Sequence, residues 1–134
     1  MKTNLAHLQF VVAPANLPFY RELLTFLGWS AIMDTDDVIG YAGSNGASVW
    51  FMPNANGATN DYDGAGMNHL AFGAGAQADV DAVAAWLGEK SIPALFETPR
   101  HRPEFSGDGA TYYQVMFESP DRVLMEVVYT GPKE

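Results

Sequence analysis

The chain has 134 residues, 48% hydrophobic and 17% charged, a composition that folds rather than staying disordered and a length that suits one core-bearing domain. Seven Lys and Arg residues against 16 Asp and Glu leave a net charge of −9, so there is no basic footprint for nucleic acid and an anionic membrane surface would repel the protein. The absence of cysteine excludes disulfides, thiolate zinc sites and a cysteine nucleophile.

The first predicted element is a strand over Ala6–Val12. His7, Gln9 and Pro14 interrupt this only apolar stretch near the N-terminus, which argues against a signal-peptide core, and nothing downstream approaches a membrane span. A soluble, cytoplasmic protein is expected. Beyond Pro14 the pattern predicts a helix around Leu17–Leu27, with Asn16 as N-cap and Gly28 as stop. Three short strands follow near Trp29–Met33, Val38–Tyr41 and Ala47–Met52, set apart by Asp-rich and Ser-Asn-Gly turns. The small, polar stretch Asn54–Gly66 reads as a linker.

The plan then repeats. A strand over His69–Phe72 precedes a helix from Val80 to Leu87, capped by Asp79 and ended by Gly88. Strands near Ile92–Phe96, Ala110–Phe117 and Val123–Tyr129 complete the copy. The helices close alike, Phe26-Leu27-Gly28 and Trp86-Leu87-Gly88. The expectation is therefore an α+β protein in which residues 1–134 form one domain of two βαβββ modules. The modules span about 5–53 and 67–130, joined by 54–66, with curled mixed sheets around an open cleft.

Two histidines hold matching places in the copies, within Ala6-His7-Leu8-Gln9-Phe10 and Asn68-His69-Leu70-Ala71-Phe72. Side chains alternate faces along a strand, so His7 and Gln9 share one face while Leu8 and Phe10 pack beneath it. The same phase sets His69 opposite Leu70 and Phe72. Glu126 stands inside the apolar run Val123–Tyr129, where a charge is costly unless it is paired or bound to a metal. Two imidazoles and a carboxylate can hold a divalent ion with positions left open for substrate. His7, His69 and Glu126 are thus the candidate metal ligands, although a lone strand histidine is more often structural. The alternative is a vacant pocket in which these groups hydrogen-bond one another.

The duplicated modules, the paired histidines and the closing segment Tyr112–Asp121 followed by Leu124-Met125-Glu126 resemble the vicinal oxygen chelate superfamily. That group contains glyoxalase I, extradiol dioxygenases, fosfomycin resistance enzymes and metal-free bleomycin-binding proteins. The resemblance implies a homodimer and assigns His7, His69 and Glu126 to the metal, with Fe(II) or Mn(II) favoured and Zn(II), Ni(II) or Co(II) admissible. The fourth ligand of glyoxalase I-like members falls at Trp50, and an indole cannot ligate a metal. The turn at Glu118-Ser119-Pro120-Asp121-Arg122 also lacks the glycine usual there.

The resemblance therefore leads to a metal-dependent enzyme acting on a small oxygen-rich or aromatic molecule, as dioxygenase, lyase/isomerase or thiol transferase. A metal-free binding protein for a drug or metabolite is the competing class. Trp50 and Met52 are expected to wall the pocket, and Gln9 to touch its contents or to sit satisfied at its edge. The second copy is longer around Thr98–Gly109, a segment carrying Arg100, His101 and Arg102. Arg100 or Arg102 suits a carboxylate or phosphate, and His101 suits acid–base work; a solvated loop is the plainer reading. Tyr112 and Tyr113 face opposite ways, so at most one points inward. Tyr113 is the candidate proton donor, against the plainer role of packing.

Overall fold

A computed structural model describes all residues from 1 to 134 and divides them into two compact units, 1–59 and 60–134. The expected linker is thus split, because residues from Asn60 onward fold with the second unit. Tyr62 is buried there with its hydroxyl donating to Glu118, and the Asn60 side-chain amide donates to the carbonyl of Arg122 at 2.8 Å.

In the first unit, β1 (His7–Val11) leads through a short 3-10 turn to α1 (Leu17–Phe26), then β2 (Ser30–Asp34), β3 (Ile39–Ala42) and β4 (Ser48–Met52). The strand order is β1-β4-β3-β2, parallel between β1 and β4 and antiparallel elsewhere. Leu17, Tyr20, Leu23 and Leu24 recur at helical spacing and form the buried stripe of α1. The stripe meets Phe51, which stacks on Tyr20 at 4.2 Å and on Phe10 at 5.1 Å between ring centroids. Burying each such side chain contributes about 1.5–3 kcal/mol. Asn16 makes no side-chain cap, in contrast to the expectation; Pro in the first turn starts the helix instead. Gly28 at φ +76° ends it as expected, with the Trp29 amide returning to the Leu24 carbonyl at 2.9 Å.

The second unit repeats the order. It contains β5 (His69–Ala74), α2 (Gln77–Glu89), β6 (Arg100–His101), β7 (Ala110–Glu118) and β8 (Leu124–Pro132), arranged β5-β8-β7-β6 with β5 and β8 parallel. Val80, Val83, Trp86 and Leu87 are the buried side of α2. On the sheet, Leu70, Phe72, Val115, Phe117, Met125 and Val127 are buried as well. The helix starts one turn before the expected Val80. Asp79 lies in its first turn and accepts from the amides of Gly75 at 3.2 Å and Ala76 at 3.0 Å.

The expected strand at Ile92–Phe96 is absent, and a two-residue strand at Arg100–His101 takes the edge of the sheet. Phe96 and Glu97 have left-handed backbones, φ +57° and +59°, which an extended strand cannot contain. Leu95 still reaches β7, its amide donating to the Met116 carbonyl at 2.8 Å. The Thr98 hydroxyl then accepts from the Met116 amide at 3.0 Å and donates to the Leu95 carbonyl at 2.7 Å. A side chain thus satisfies a backbone group that a longer edge strand would otherwise pair.

Candidate metal centre of the second unit

In a parallel pair, partner residues share a face. His69 pairs with Leu124 and Ala71 with Glu126, so His69 and Glu126 project to the same side of the sheet, as their phase predicts. The antiparallel neighbour β7 brings Met116 beside Glu126, Gln114 beside Val128 and Tyr112 beside Thr130, all on that side. Helix α2 covers the opposite face.

Glu126 is 1% exposed, and both of its oxygens are engaged. Its Oε2 lies 2.9 Å from His69 Nε2, and its Oε1 accepts the Tyr112 hydroxyl at 2.6 Å. The other ring nitrogen, His69 Nδ1, lies 2.8 Å from Asn68 Oδ1, and the Asn68 amide nitrogen donates to the Tyr62 carbonyl at 2.9 Å. Burial, followed by the hydrogen bond to the Glu126 carboxylate, pushes the Tyr112 hydroxyl well above the ordinary tyrosine range and keeps it a donor at neutral pH.

A cavity of about 320 Å³ opens on this face beside His69, Tyr112 and Glu126. Phe96, Phe105, Met116 and Leu124 give it apolar walls, while Gln114 and Arg102 bring polar groups to its lining. Phe105 meets Tyr112 edge-to-face at 5.6 Å, and the Arg102 guanidinium lies 4.8 Å over the Phe105 ring. Arg102 also pairs with Glu104 at 2.5 Å.

The remaining sequence candidates are placed differently. Arg100 projects to the same face as its partner Gln114, but it does not line the cavity and pairs with Glu97 at 2.9 Å. His101 and Tyr113, the expected acid–base groups, do not reach the cavity. They are partners across β6 and β7 on the α2 side, with rings 4.5 Å apart. Tyr113 donates to Asp81 of α2 at 2.7 Å, and His101 Nδ1 is 2.6 Å from the Thr111 hydroxyl. The tyrosine on the cavity side is therefore Tyr112. Gln114 and Glu118, in phase with Tyr112, mark that face as polar, a signal present in the sequence. Asn68, Phe96 and Phe105 carry no comparable signal.

In the first unit, His7, Gln9 and Val11 form the exposed face of β1 and share it with their partners Ser48, Trp50 and Met52. Trp50 occupies the place in β4 that Glu126 occupies in β8, each being partner to the residue two after the histidine. Its indole donates to the Ser48 hydroxyl at 2.9 Å and lies over Gly40, where a Cβ would come within 2.5 Å of the ring. Trp50 thus offers no ligand, and neither it nor Met52 lines the cavity beside Glu126. Neither unit by itself brings three His, Asp or Glu side chains within reach of one ion.

His69 Nε2 and Glu126 Oε2, 2.9 Å apart, are nevertheless of the donor types that a divalent ion takes, and would be the residues to hold one. A mixed imidazole–carboxylate set suits Mn(II), Fe(II) or Zn(II).

No protein-family model and no curated protein sequence matches the chain. Among solved structures it is similar to a putative glyoxalase from Bacillus halodurans, at 26% identity and TM-score 0.76 over 93% of this chain and 94% of that one. A glyoxalase/dioxygenase from Nostoc punctiforme matches at 18% identity and TM-score 0.74, covering 97% and 92%. The fosfomycin resistance protein FosX from Listeria monocytogenes, crystallised with Mn(II) and sulfate, matches at 18% identity and TM-score 0.67, covering 96% and 91%. With the same strand order in both halves and these neighbours over nearly its full length, the chain has the two-module fold of the vicinal oxygen chelate superfamily.

Proposed function

We propose that this protein is a divalent-metal-dependent enzyme acting on a small oxygen-rich or aromatic molecule, in the range of dioxygenase, lyase/isomerase and thiol-transferase chemistry. The observation that carries the reading is the buried Glu126 carboxylate, aimed at His69 Nε2 and held on its far oxygen by Tyr112. A carboxylate so deeply buried needs a positive partner. His69 and Glu126 are two of the ligands, and His7, from this chain or a second copy in a homodimer, is the third. Fe(II) and Mn(II) suit this set best.

When bound, the ion supplies Lewis acidity to the substrate's oxygens and leaves positions open to them. The protein groups do the rest. Phe96, Phe105 and Leu124 exclude water from one side of the cavity and favour a flat or apolar body. Gln114 presents an amide to polar substituents, and Arg102 lends positive charge to an anionic one. Tyr112 holds Glu126 with Oε2 toward His69 and keeps its own proton at the cavity edge.

The contact between His69 and Glu126 also supports a second reading. At 2.9 Å it is a hydrogen-bonded pair in its own right, which suits a metal-free protein that sequesters a drug or metabolite. Metal analysis of protein purified without chelator or added metal separates the two. About one equivalent of Fe, Mn or Zn supports the enzyme, and metal-free protein that gains no thermal stability from any of these ions overturns it.

A further inference from the structure

Resting on the metal reading, the geometry points to Asn68 as the positioning residue that selects which nitrogen of His69 faces the ion. Its amide has only one consistent orientation. The carbonyl of Tyr62 can only accept, so the Asn68 atom 2.9 Å from it is the NH2 group. The Asn68 oxygen is then the atom 2.8 Å from His69 Nδ1. An amide oxygen has no proton to give, so Nδ1 carries the proton and donates. Nε2 is the nitrogen directed at Glu126 Oε2, a carboxylate oxygen that in the metal-free protein can only accept from it.

The acceptor at the start of this chain of bonds is itself fixed. Tyr62 is buried, packs with Met116 and Leu124, donates its hydroxyl to Glu118 and lies under the Arg122 guanidinium at 5.1 Å. The segment that looked like a linker therefore fixes which end of the Asn68 amide meets His69 Nδ1, a choice that a carboxylate with its two accepting oxygens does not need. An outer partner of this kind holds the ring and its tautomer for the metal, and removing it typically costs about 10–100-fold in metal affinity.

Two substitutions separate positioning from mere structural support. Asn68→Leu keeps the size and removes both bonds. Asn68→Asp loses the bond to the Tyr62 carbonyl but keeps an acceptor for Nδ1–H. The expected result, by titration calorimetry with Zn(II), is an affinity about 10–100-fold weaker for Asn68→Leu and within a few-fold of the parent for Asn68→Asp. Equal losses in the two variants, or none in Asn68→Leu, would overturn the proposal.

Imidazole nitrogen NMR of the metal-free protein gives an independent readout. A proton on His69 Nδ1 in the parent supports the assignment, and a bare Nδ1 with the proton on Nε2 alone overturns it. If the parent binds no Zn(II), Mn(II) or Fe(II), the metal reading fails, and this spectrum still decides what Asn68 does.

Discussion

The Tyr112 hydroxyl donates to Glu126 Oε1 at 2.6 Å across two adjacent antiparallel strands, and it does so from four residues beyond the position directly opposite Glu126. The phenol runs along the sheet face to reach the carboxylate. Both side chains lie on one wall of the same cavity. The bond therefore fixes which oxygen of Glu126 is left for His69.

Replacing Tyr112 by Phe leaves the Glu126 oxygen without its donor inside a buried site. The expected cost is about 1–3 kcal/mol in denaturant unfolding of the metal-free protein. Affinity for Mn(II) or Zn(II) should also fall, because the carboxylate is free to rotate. Unchanged stability and affinity together would show that the bond orients nothing.

Glu126→Gln keeps the shape and removes the charge that balances a divalent ion. The parent should gain about 2.7 kcal/mol from metal at a hundredfold excess over Kd, and the variant almost nothing. Without metal, the variant should melt at or above the parent temperature if no cation pairs with the carboxylate in the parent. Melting curves with and without Mn(II) read both effects.

His7→Ala tests the proposed third ligand. His7 is an exposed residue of β1, so its removal should leave the unfolding free energy within about 0.5 kcal/mol of the parent. The metal-dependent gain should nevertheless fall by orders of magnitude in affinity. An unchanged metal affinity would remove His7 from the site and leave His69 and Glu126 to be completed by other groups.

Trp50 holds in β4 the place that Glu126 holds in β8, with an indole bonded to Ser48 that cannot ligate a metal. Isomerisation of the hemithioacetal of methylglyoxal and glutathione should therefore be negligible with Ni(II) or Zn(II). Saturable turnover in that assay would mean that three protein ligands suffice here.

Alkaline titration reads the tyrosines. Tyr113, hydrogen-bonded to Asp81 and partly desolvated, is pushed up to about 12, and Tyr112 is raised further by burial beside Glu126. Both are higher folded than unfolded, so their contribution is fully present below pH ~10 and is lost as pH rises through the folded values. Stability should fall above pH ~10, where the unfolded chain binds fewer protons than the native one. Phenolate absorbance should show Tyr112 and Tyr113 ionising later than free tyrosine. Tyr113→Phe should remove one of these late steps and leave metal affinity unchanged.

The sequence by itself determined the two-module plan and the common face of His69 and Glu126. Alternation along a strand is a local property, with a period of two written into Leu70 and Phe72 beneath His69. The burial cost of a charge between Met125 and Val127 is local too, and it singles out Glu126 without coordinates. Glycine at φ +76° after α1 was legible for the same reason, since the chain reverses where only glycine is comfortable.

The tertiary structure decided what depends on register between strands. Tyr112 and Tyr113 alternate, and only the pairing of Met116 with Glu126 shows that Tyr112 faces the cavity while Tyr113 and His101 lie under α2. The same limit hid the edge of the second sheet. The apolar run from Ile92 to Phe96 looks extended, yet left-handed residues turn it into a loop whose Thr98 hydroxyl completes β7. Asn68 and Tyr62 were out of reach for a related reason. Their bond joins a polar stretch to the opening of β5, and its partners are chosen by packing against Met116 and Leu124 rather than by spacing along the chain. Periodicity tells a residue which side it is on; packing between distant segments tells it which atom it meets.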